Sequence, residues 1–132
     1  AKERPWPDTA AGLTGIQTIV PLMLDHVSAG RLSLSRLADL MCAGPARVYG
    51  VQTKGRLAVG MDGDVTVVDM KKTRTIEDSW IVSPCGWTPF AGHRCSGWPV
   101  MTVVRGHIAM RDDEVQGSPQ GKPVDFIDTR RA

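Results

Sequence analysis

The pattern of hydrophobic and polar positions divides the chain into a helical first part and a β-rich second part. Between residues 16 and 29, apolar side chains recur at spacings of three and four residues, as on one buried face of a helix. The members of this face are Ile16, Ile19, Val20, Met23, Leu24 and Val27. We therefore predict a helix over residues 16–29, preceded by a loop over residues 1–15.

Two shorter helices are predicted next. Ser33 is a suitable N-cap for a helix over residues 34–43, which we expect Gly44 to end. Pro45 then opens a third helix that stops at Gly50, because proline is tolerated at the first helical position and glycine is common just past the end. The short connections imply closely packed neighbours.

From residue 51 the helical spacing disappears, and glycine, proline and β-branched residues dominate. Such residues suit strands and turns. The predicted strands cover residues 64–69, 73–77, 100–105 and 107–110, with polar turns at Lys71-Lys72 and Arg111–Glu114, a bend at Gly106, an ordered loop over 83–99 and a polar tail over 116–132. Helices followed by strands indicate an α+β fold or the join between two domains.

Composition narrows the classes of partner. The chain of 132 residues has 16 basic and 14 acidic side chains, so its net charge of +2 favours neither nucleic acid nor a membrane surface. No apolar run approaches the roughly 18 residues needed to span a bilayer. The three cysteines, Cys42, Cys85 and Cys95, form no CxxC pair, which favours reduced thiols and a cytoplasmic location.

The side chains that could carry chemistry are scattered. The histidines are His26, His93 and His107. They form no HxH or HxxxH pair, and we expect His26 to have a surface or packing role. His93 and Cys95 are one residue apart, but two soft ligands without a second pair are a weak zinc signal. The residues alone therefore predict neither a complete active site nor a metal site.

The segment Lys54–Asp69 has a more specific pattern. Its first half is punctuated by glycines and its second half is rich in valine, as expected of a hairpin or arch that enters a buried strand. Its aspartates lack the spacing of a calcium loop and are typical of turns. The pattern also resembles the start of the small β-domain in the cyclic amidohydrolases, which include dihydroorotases, hydantoinases and allantoinases.

Further motifs, in the same order as in dihydroorotases, support this resemblance. They are GLTGIQT at 12–18 followed by PLML at 21–24, GRLSL at 30–34, GPARVYG at 44–50, KGRL at 54–57, GMDGD at 60–64, WTPFAG at 87–92 and TVVRG at 102–106. Gly44 stands where the family usually has asparagine. Gln17-Thr18 favours dihydroorotase, since hydantoinases usually have Glu-Asp there.

The resemblance implies an α/β fold, a (β/α)₈ TIM-type barrel that carries a small β-sandwich domain. Residues 1–52 would form the substrate loop and terminal helices of the barrel, and residues 53–132 the small β-domain and C-terminal tail; in isolation the chain reads as α+β. The family's metal ligands lie upstream of the segment that resembles Ala1–Glu3. We therefore expect the C-terminal third of a dihydroorotase, inactive by itself.

The resemblance also implies a function. The intact enzyme would interconvert L-dihydroorotate and N-carbamoyl-L-aspartate in pyrimidine biosynthesis, with a binuclear zinc site bridged by a carboxylated lysine. This chain would hold no catalytic residue and no metal, and Ala11 and Gly12 would bind the substrate through their backbone, although Gly12 could be only a turn glycine. Ala11 replaces the proline that family members often have.

Expected partners are the remainder of the enzyme, a small-molecule substrate and either a second copy or aspartate transcarbamoylase, but neither nucleic acid nor a membrane. Two alternatives stay open. One is a hydantoinase (dihydropyrimidinase) or allantoinase, and the other is a non-catalytic dihydroorotase-like scaffold for aspartate transcarbamoylase.

Overall fold

Three helical segments precede a four-stranded antiparallel sheet in the computed structural model, which describes residues 3–9 and 11–127. The helices are α1 (Ile19–Ser28), α2 (Leu34–Ala38) and α3 (Gly44–Tyr49), with a π-helical turn (Asp39–Ala43) between the last two. The strands are β1 (Val65–Thr75), β2 (Arg94–Val104), β3 (His107–Arg111) and β4 (Glu114–Val115), with a 3₁₀ turn at Asp78–Trp80. They lie in the order β1-β2-β3-β4. No helix in the described ranges is long and apolar enough to cross a membrane.

Helix α1 begins later than predicted. The backbone N–H groups of Thr18 and Ile19 both donate to the Gly15 carbonyl, at 3.2 and 2.9 Å, so residues 16–18 form a turn. Pro21 therefore lies in the first turn of the helix, where its missing N–H leaves no helical bond unmade.

The prediction that Gly44 ends a helix is wrong. Gly44 has helical backbone angles (φ −60°, ψ −57°), and helical geometry continues to Tyr49, where Gly50 at φ 66° stops it. The N–H of Gly44 donates to the carbonyl of Asp39, five residues earlier, and Pro45 has no N–H to donate. A Cβ on Gly44 would lie 2.6 Å from that carbonyl oxygen, so this wide turn requires a glycine.

Strand β1 replaces two predicted strands and the turn between them. Asp69 pairs with Trp98 and Thr73 with Ser96, so Lys71-Lys72 lies in a bulge of one continuous strand. The Asp69 side chain accepts the N–H of Lys71 at 2.8 Å, which stabilises this bulge.

Strand β2 begins inside the segment predicted to be a loop. Its first half contains Gly97 and Pro99, which argue against a strand when the sequence is read locally. Pro99 lies beside a register irregularity between Val67 and Val68, where a ladder hydrogen bond is dispensable. Gly97 has a φ of +97°, and a Cβ there would lie 2.9 Å from the Cβ of Leu24 in α1. Contact with α1 therefore accounts for this glycine.

Two-residue turns join the last strands. The first is Arg105-Gly106, between the paired residues Val104 and His107, so the predicted bend is a hairpin turn. The second is Asp112-Asp113, which confirms the predicted polar turn between β3 and β4. All four turn residues have positive φ, as type I′ hairpins require.

The core lies between α1 and the sheet. Its fully buried members are Leu24, Ile76, Cys95 and Trp98, and Leu22, Trp80 and Phe90 pack against it. The rings of Trp80 and Trp98 have centroids 4.8 Å apart. This pair connects the sheet to the long segment between β1 and β2, which carries the contacts of the candidate site.

Candidate functional site

The predicted substrate residues lie at the surface beside a cleft. Ala11 and Gly12 are both exposed. The residues that follow them form one wall of a cleft of about 310 Å³, whose lining includes Leu13, Thr14, Gly15, Gln17, Ile81 and Ser83. Gly12 has a φ of +73°, but a Cβ there would meet no atom within 4 Å. The backbone of this segment is thus accessible, and only conformation, not space, calls for glycine.

Two side chains attach this segment to a distant part of the chain. The Thr14 hydroxyl donates to the carbonyl oxygen of Trp87 at 2.6 Å. The Gln17 amide makes two bonds, since its Nε2 donates to the carbonyl of Trp80 at 2.6 Å and its Oε1 accepts the N–H of Val82 at 3.0 Å. The segment of residues 11–17 is therefore held from one side.

The two carbonyl acceptors and the one N–H donor that these side chains meet all belong to residues 76–93, which we call the tryptophan loop. Its ends are paired, because the backbone N–H of Ile76 donates to the carbonyl oxygen of His93 at 2.9 Å and the backbone N–H of Gly92 donates to the carbonyl oxygen of Ile76 at 2.8 Å. Inside the loop, the N–H of Thr88 donates to the Asp78 carboxylate at 2.8 Å. These bonds close the loop on itself.

A polar cluster fixes the tryptophan loop to the sheet. The indole N–H groups of Trp80 and Trp98 donate to the same oxygen of Asp113, at 3.1 and 3.4 Å. The Arg74 side chain pairs with this carboxylate and lies over both indole rings, at 5.7 and 5.1 Å from their centroids. Asp113 in the β3–β4 turn therefore connects the loop to two strands.

The glycine-rich segment forms an ion-pair network with the β2–β3 turn. Lys54 Nζ lies 2.9 Å from Asp62 and also pairs with Asp64, while Arg105 Nη1 lies 3.0 Å from Asp62. The backbone N–H of Arg105 donates to Asp64 at 2.8 Å. Hydrogen bonds from Lys54 lower the pKa of both carboxyl groups. The aspartates are therefore saturated by basic partners, which agrees with their predicted structural role.

His93 and Cys95 diverge in the structure. His93 is exposed and its Nε2 lies 3.5 Å from Asp25, whereas Cys95 is fully buried beneath α1. Burial, with a smaller contribution from Asp25, raises the pKa of Cys95 to about 11. Since the thiolate is the form that binds metals, this cysteine is a poor ligand.

Over the described part of the chain, no three His, Cys, Asp or Glu side chains gather in a way that could hold a metal ion. The donors of these residues therefore do not fit the binuclear zinc site that the resemblance implies.

Sequence reasoning missed the roles of Thr14 and Gln17. Both belong to the GLTGIQT motif, so the motif marked the right segment. Their partners lie 73 and 63 residues away, and no local pattern identifies backbone acceptors at such separations.

Comparison with known proteins identifies the family. Residues 10–109 match the amidohydrolase family. The chain therefore belongs to the amidohydrolase family.

Several dihydroorotases are similar to this chain. The dihydroorotase of Pyrococcus furiosus is 40% identical over 115 residues, which are 87% of this chain and 28% of the relative. The dihydroorotase of Methanothermobacter thermautotrophicus is 44% identical over 108 residues, 82% of this chain and 25% of the relative. The chain thus spans about a quarter of the length of the curated relatives it matches.

Solved structures of hydantoinases have a similar fold. The L-hydantoinase (dihydropyrimidinase) of Arthrobacter aurescens superposes with a TM-score of 0.79 at 37% identity, over 83% of this chain and 25% of that one. A D-hydantoinase from a Thermus species superposes with a TM-score of 0.67 at 32% identity, over 75% of this chain and 22% of that one.

Proposed function

We propose that this chain is the C-terminal portion of a dihydroorotase, which interconverts L-dihydroorotate and N-carbamoyl-L-aspartate in pyrimidine biosynthesis. The observation that carries the proposal is the 40 and 44% identity to two dihydroorotases over more than four-fifths of the chain. The order of the family motifs along the sequence supports the same activity.

The proposed enzyme has a (β/α)₈ barrel, to which residues 1–52 contribute the substrate loop and the last helices. Residues 53–132 form most of its small β-domain and the tail. A binuclear zinc site with a carboxylated lysine is held by the remainder of the enzyme. A cytoplasmic location accords with the three free cysteines.

Exposed apolar side chains in the first part of the chain support the remainder of the enzyme as its partner. They include Leu13, Ile16, Ile19, Leu34, Val48 and Tyr49. Large apolar surfaces are usually covered by other protein segments, and a second copy or aspartate transcarbamoylase remains a further candidate partner.

Within the enzyme, Ala11 and Gly12 bind the substrate through backbone groups. A cyclic amide presents N–H donors and C=O acceptors in one plane, and an exposed backbone offers complementary groups without a titratable side chain. The exposure of both residues and the open space around Gly12 support this role.

A hydantoinase is the second candidate, favoured by the TM-score of 0.79 and 37% identity to the Arthrobacter enzyme. Turnover of L-dihydroorotate and of hydantoin by the full-length protein separates the two. The proposal expects a much larger kcat/KM for dihydroorotate, and the opposite preference would refute it. If the full-length protein turned over neither substrate, the non-catalytic scaffold would be favoured.

The substrate role of Gly12 is tested by Gly12→Val in the full-length protein. A branched side chain at positive φ strains the backbone and covers the groups that would meet the substrate. We expect the KM for dihydroorotate to rise, and the strain of positive φ to lower the melting temperature only as much as it does in a matched control. Gly117→Val is the matched control, since Gly117 also has positive φ and open space around it. A lower melting temperature with unchanged KM would leave Gly12 a turn glycine only.

A further inference from the structure

We propose that the tryptophan loop positions residues 11–17, which we call the substrate segment, with the Thr14 hydroxyl and the Gln17 amide as the positioning groups. This inference rests on the proposed substrate role of Ala11 and Gly12. It assigns a function to residues 76–93, whose WTPFAG motif has no role of its own in the proposed chemistry.

The positioning group of Thr14 first of all lies close, along the chain, to the residues proposed to bind the substrate. Only Leu13 separates Gly12 from Thr14, so the bond from Thr14 to Trp87 restrains the backbone two residues from Gly12. A carbonyl oxygen can only accept, so the residue at position 14 must supply a donor. Serine retains that donor, whereas valine has nearly the same shape as threonine and lacks it.

The second support is that both ends of the Gln17 amide are used. Nε2 donates to Trp80 and Oε1 accepts from Val82. Glutamate has the same size but only acceptor oxygens when ionised, so it could keep the bond from Val82 but would place an oxygen against the Trp80 carbonyl. In this chain, the two bonds together therefore depend on the amide.

The third support is the way the tryptophan loop is itself held. Its paired ends, the Asp78–Thr88 bond and the Trp80–Asp113 bond tie it to the sheet. A loop restrained at these points can hold a second segment in one conformation. Pre-organised backbone groups bind a ligand more tightly, because less conformational freedom is lost on binding.

The test uses the full-length enzyme with Thr14→Val, Thr14→Ser and Gln17→Glu. Thr66→Val, on an exposed position of β1, and Gln120→Glu, in the exposed tail, are matched controls. Steady-state kinetics with dihydroorotate give KM and kcat separately. Hydrogen exchange of the peptide that covers residues 11–17 reports its mobility without substrate.

We expect Thr14→Val and Gln17→Glu to raise KM about three- to tenfold, as for one lost hydrogen bond, with kcat nearly unchanged. Exchange in residues 11–17 should accelerate. Thr14→Ser should restore both values, and the two controls should match the wild type. The two independent positions keep the test informative if one variant fails to fold.

The measurements distinguish a failure of the positioning role from a failure of the proposed function. If Gly12→Val raises KM but Thr14→Val and Gln17→Glu do not, the positioning role is wrong and the substrate role stands. Unchanged KM in Gly12→Val overturns the substrate role of Gly12 together with this inference, whereas the dihydroorotase activity stands. No turnover of dihydroorotate by the wild type overturns the proposed function as well. A fall in kcat at unchanged KM also overturns the positioning role.

Discussion

Arg105 Nη1 lies 3.0 Å from Asp62 Oδ1, and this contact joins two segments that are 43 residues apart in the chain. Arg105 belongs to the TVVRG motif and Asp62 to the GMDGD motif. Lys54, from the KGRL motif, pairs with the same aspartate at 2.9 Å. Three motifs by which the sequence resembles dihydroorotases therefore meet in one ion-pair network, which stabilises the sheet and the segment that leads into it.

The network predicts a loss of stability in acid. Hydrogen bonds from Lys54 lower the pKa of Asp62 and Asp64 in the folded protein. The ordinary value is about 4, so their contribution is complete above about pH 4 and is lost as the pH falls through the lowered pKa values. In the full-length protein, Asp62→Asn should lower the melting temperature by several degrees at pH 7 and flatten its dependence on acid.

Asp8→Asn is the control for that measurement, because it removes the same charge from an exposed position. Identical acid profiles for the two variants would show that the network contributes no pH dependence. At the alkaline end the sign reverses: the Asp64 and Asp62 hydrogen bonds raise the pKa of Lys54. Its contribution is therefore complete below the ordinary lysine pKa and is lost as the pH rises through the raised value.

Asp113 is predicted to stabilise the tryptophan pair. Removing its carboxylate with Asp113→Ala leaves the indole of the fully buried Trp98 without this acceptor, which costs about 1–3 kcal/mol. Asp113→Asn should cost less, because its amide oxygen still accepts and asparagine tolerates positive φ. Denaturant unfolding followed by tryptophan fluorescence measures both variants. Equal losses for the two would mean that charge, not the hydrogen bonds, is what matters.

Gly97→Ala is predicted to weaken the packing of α1 on β2 and so to lower the free energy of unfolding. The new Cβ would lie 2.9 Å from the Cβ of Leu24, so overpacking of about 1–3 kcal/mol adds to the strain of positive φ. Gly60→Ala is the matched control, since Gly60 has a φ of +86° and no atom within 4 Å of an added Cβ. The difference between the two free energies of unfolding isolates the helix–sheet contact, and a difference of zero would contradict this packing argument.

The three cysteines should react at different rates. Cys42 and Cys85 are exposed, whereas burial raises the pKa of Cys95 to about 11. The Ser83 hydroxyl lowers the pKa of Cys85, so Cys85 should be alkylated first at neutral pH and Cys95 only on unfolding. Mass spectrometry after timed alkylation measures the order, and Ser83→Ala should slow labelling at Cys85 alone. Rapid labelling of Cys95 in the native protein would contradict its burial.

Local patterns in the sequence located the helices and several of their ends, although not the π-helical turn that continues through Gly44. The spacing of apolar residues located α1, Ser33 caps α2 as predicted, with its hydroxyl accepting the N–H of Arg36 at 3.1 Å, and Gly50 ends α3. Helical bonds and caps join residues a few positions apart, so the sequence records them directly. The ordered motifs likewise indicated the amidohydrolase family, which the match over residues 10–109 confirms.

The start of β2 and the anchors of the substrate segment were decided only by the tertiary structure. Gly97 and Pro99 predict a loop locally, but burial of Cys95 and Trp98 against α1 and pairing with β1 make this segment a strand. The side chains of Thr14 and Gln17, which anchor the substrate segment, form hydrogen bonds with backbone groups more than 60 residues away. Such contacts depend on how distant segments pack together, and neither residue type nor spacing encodes which carbonyl a hydroxyl or an amide will meet.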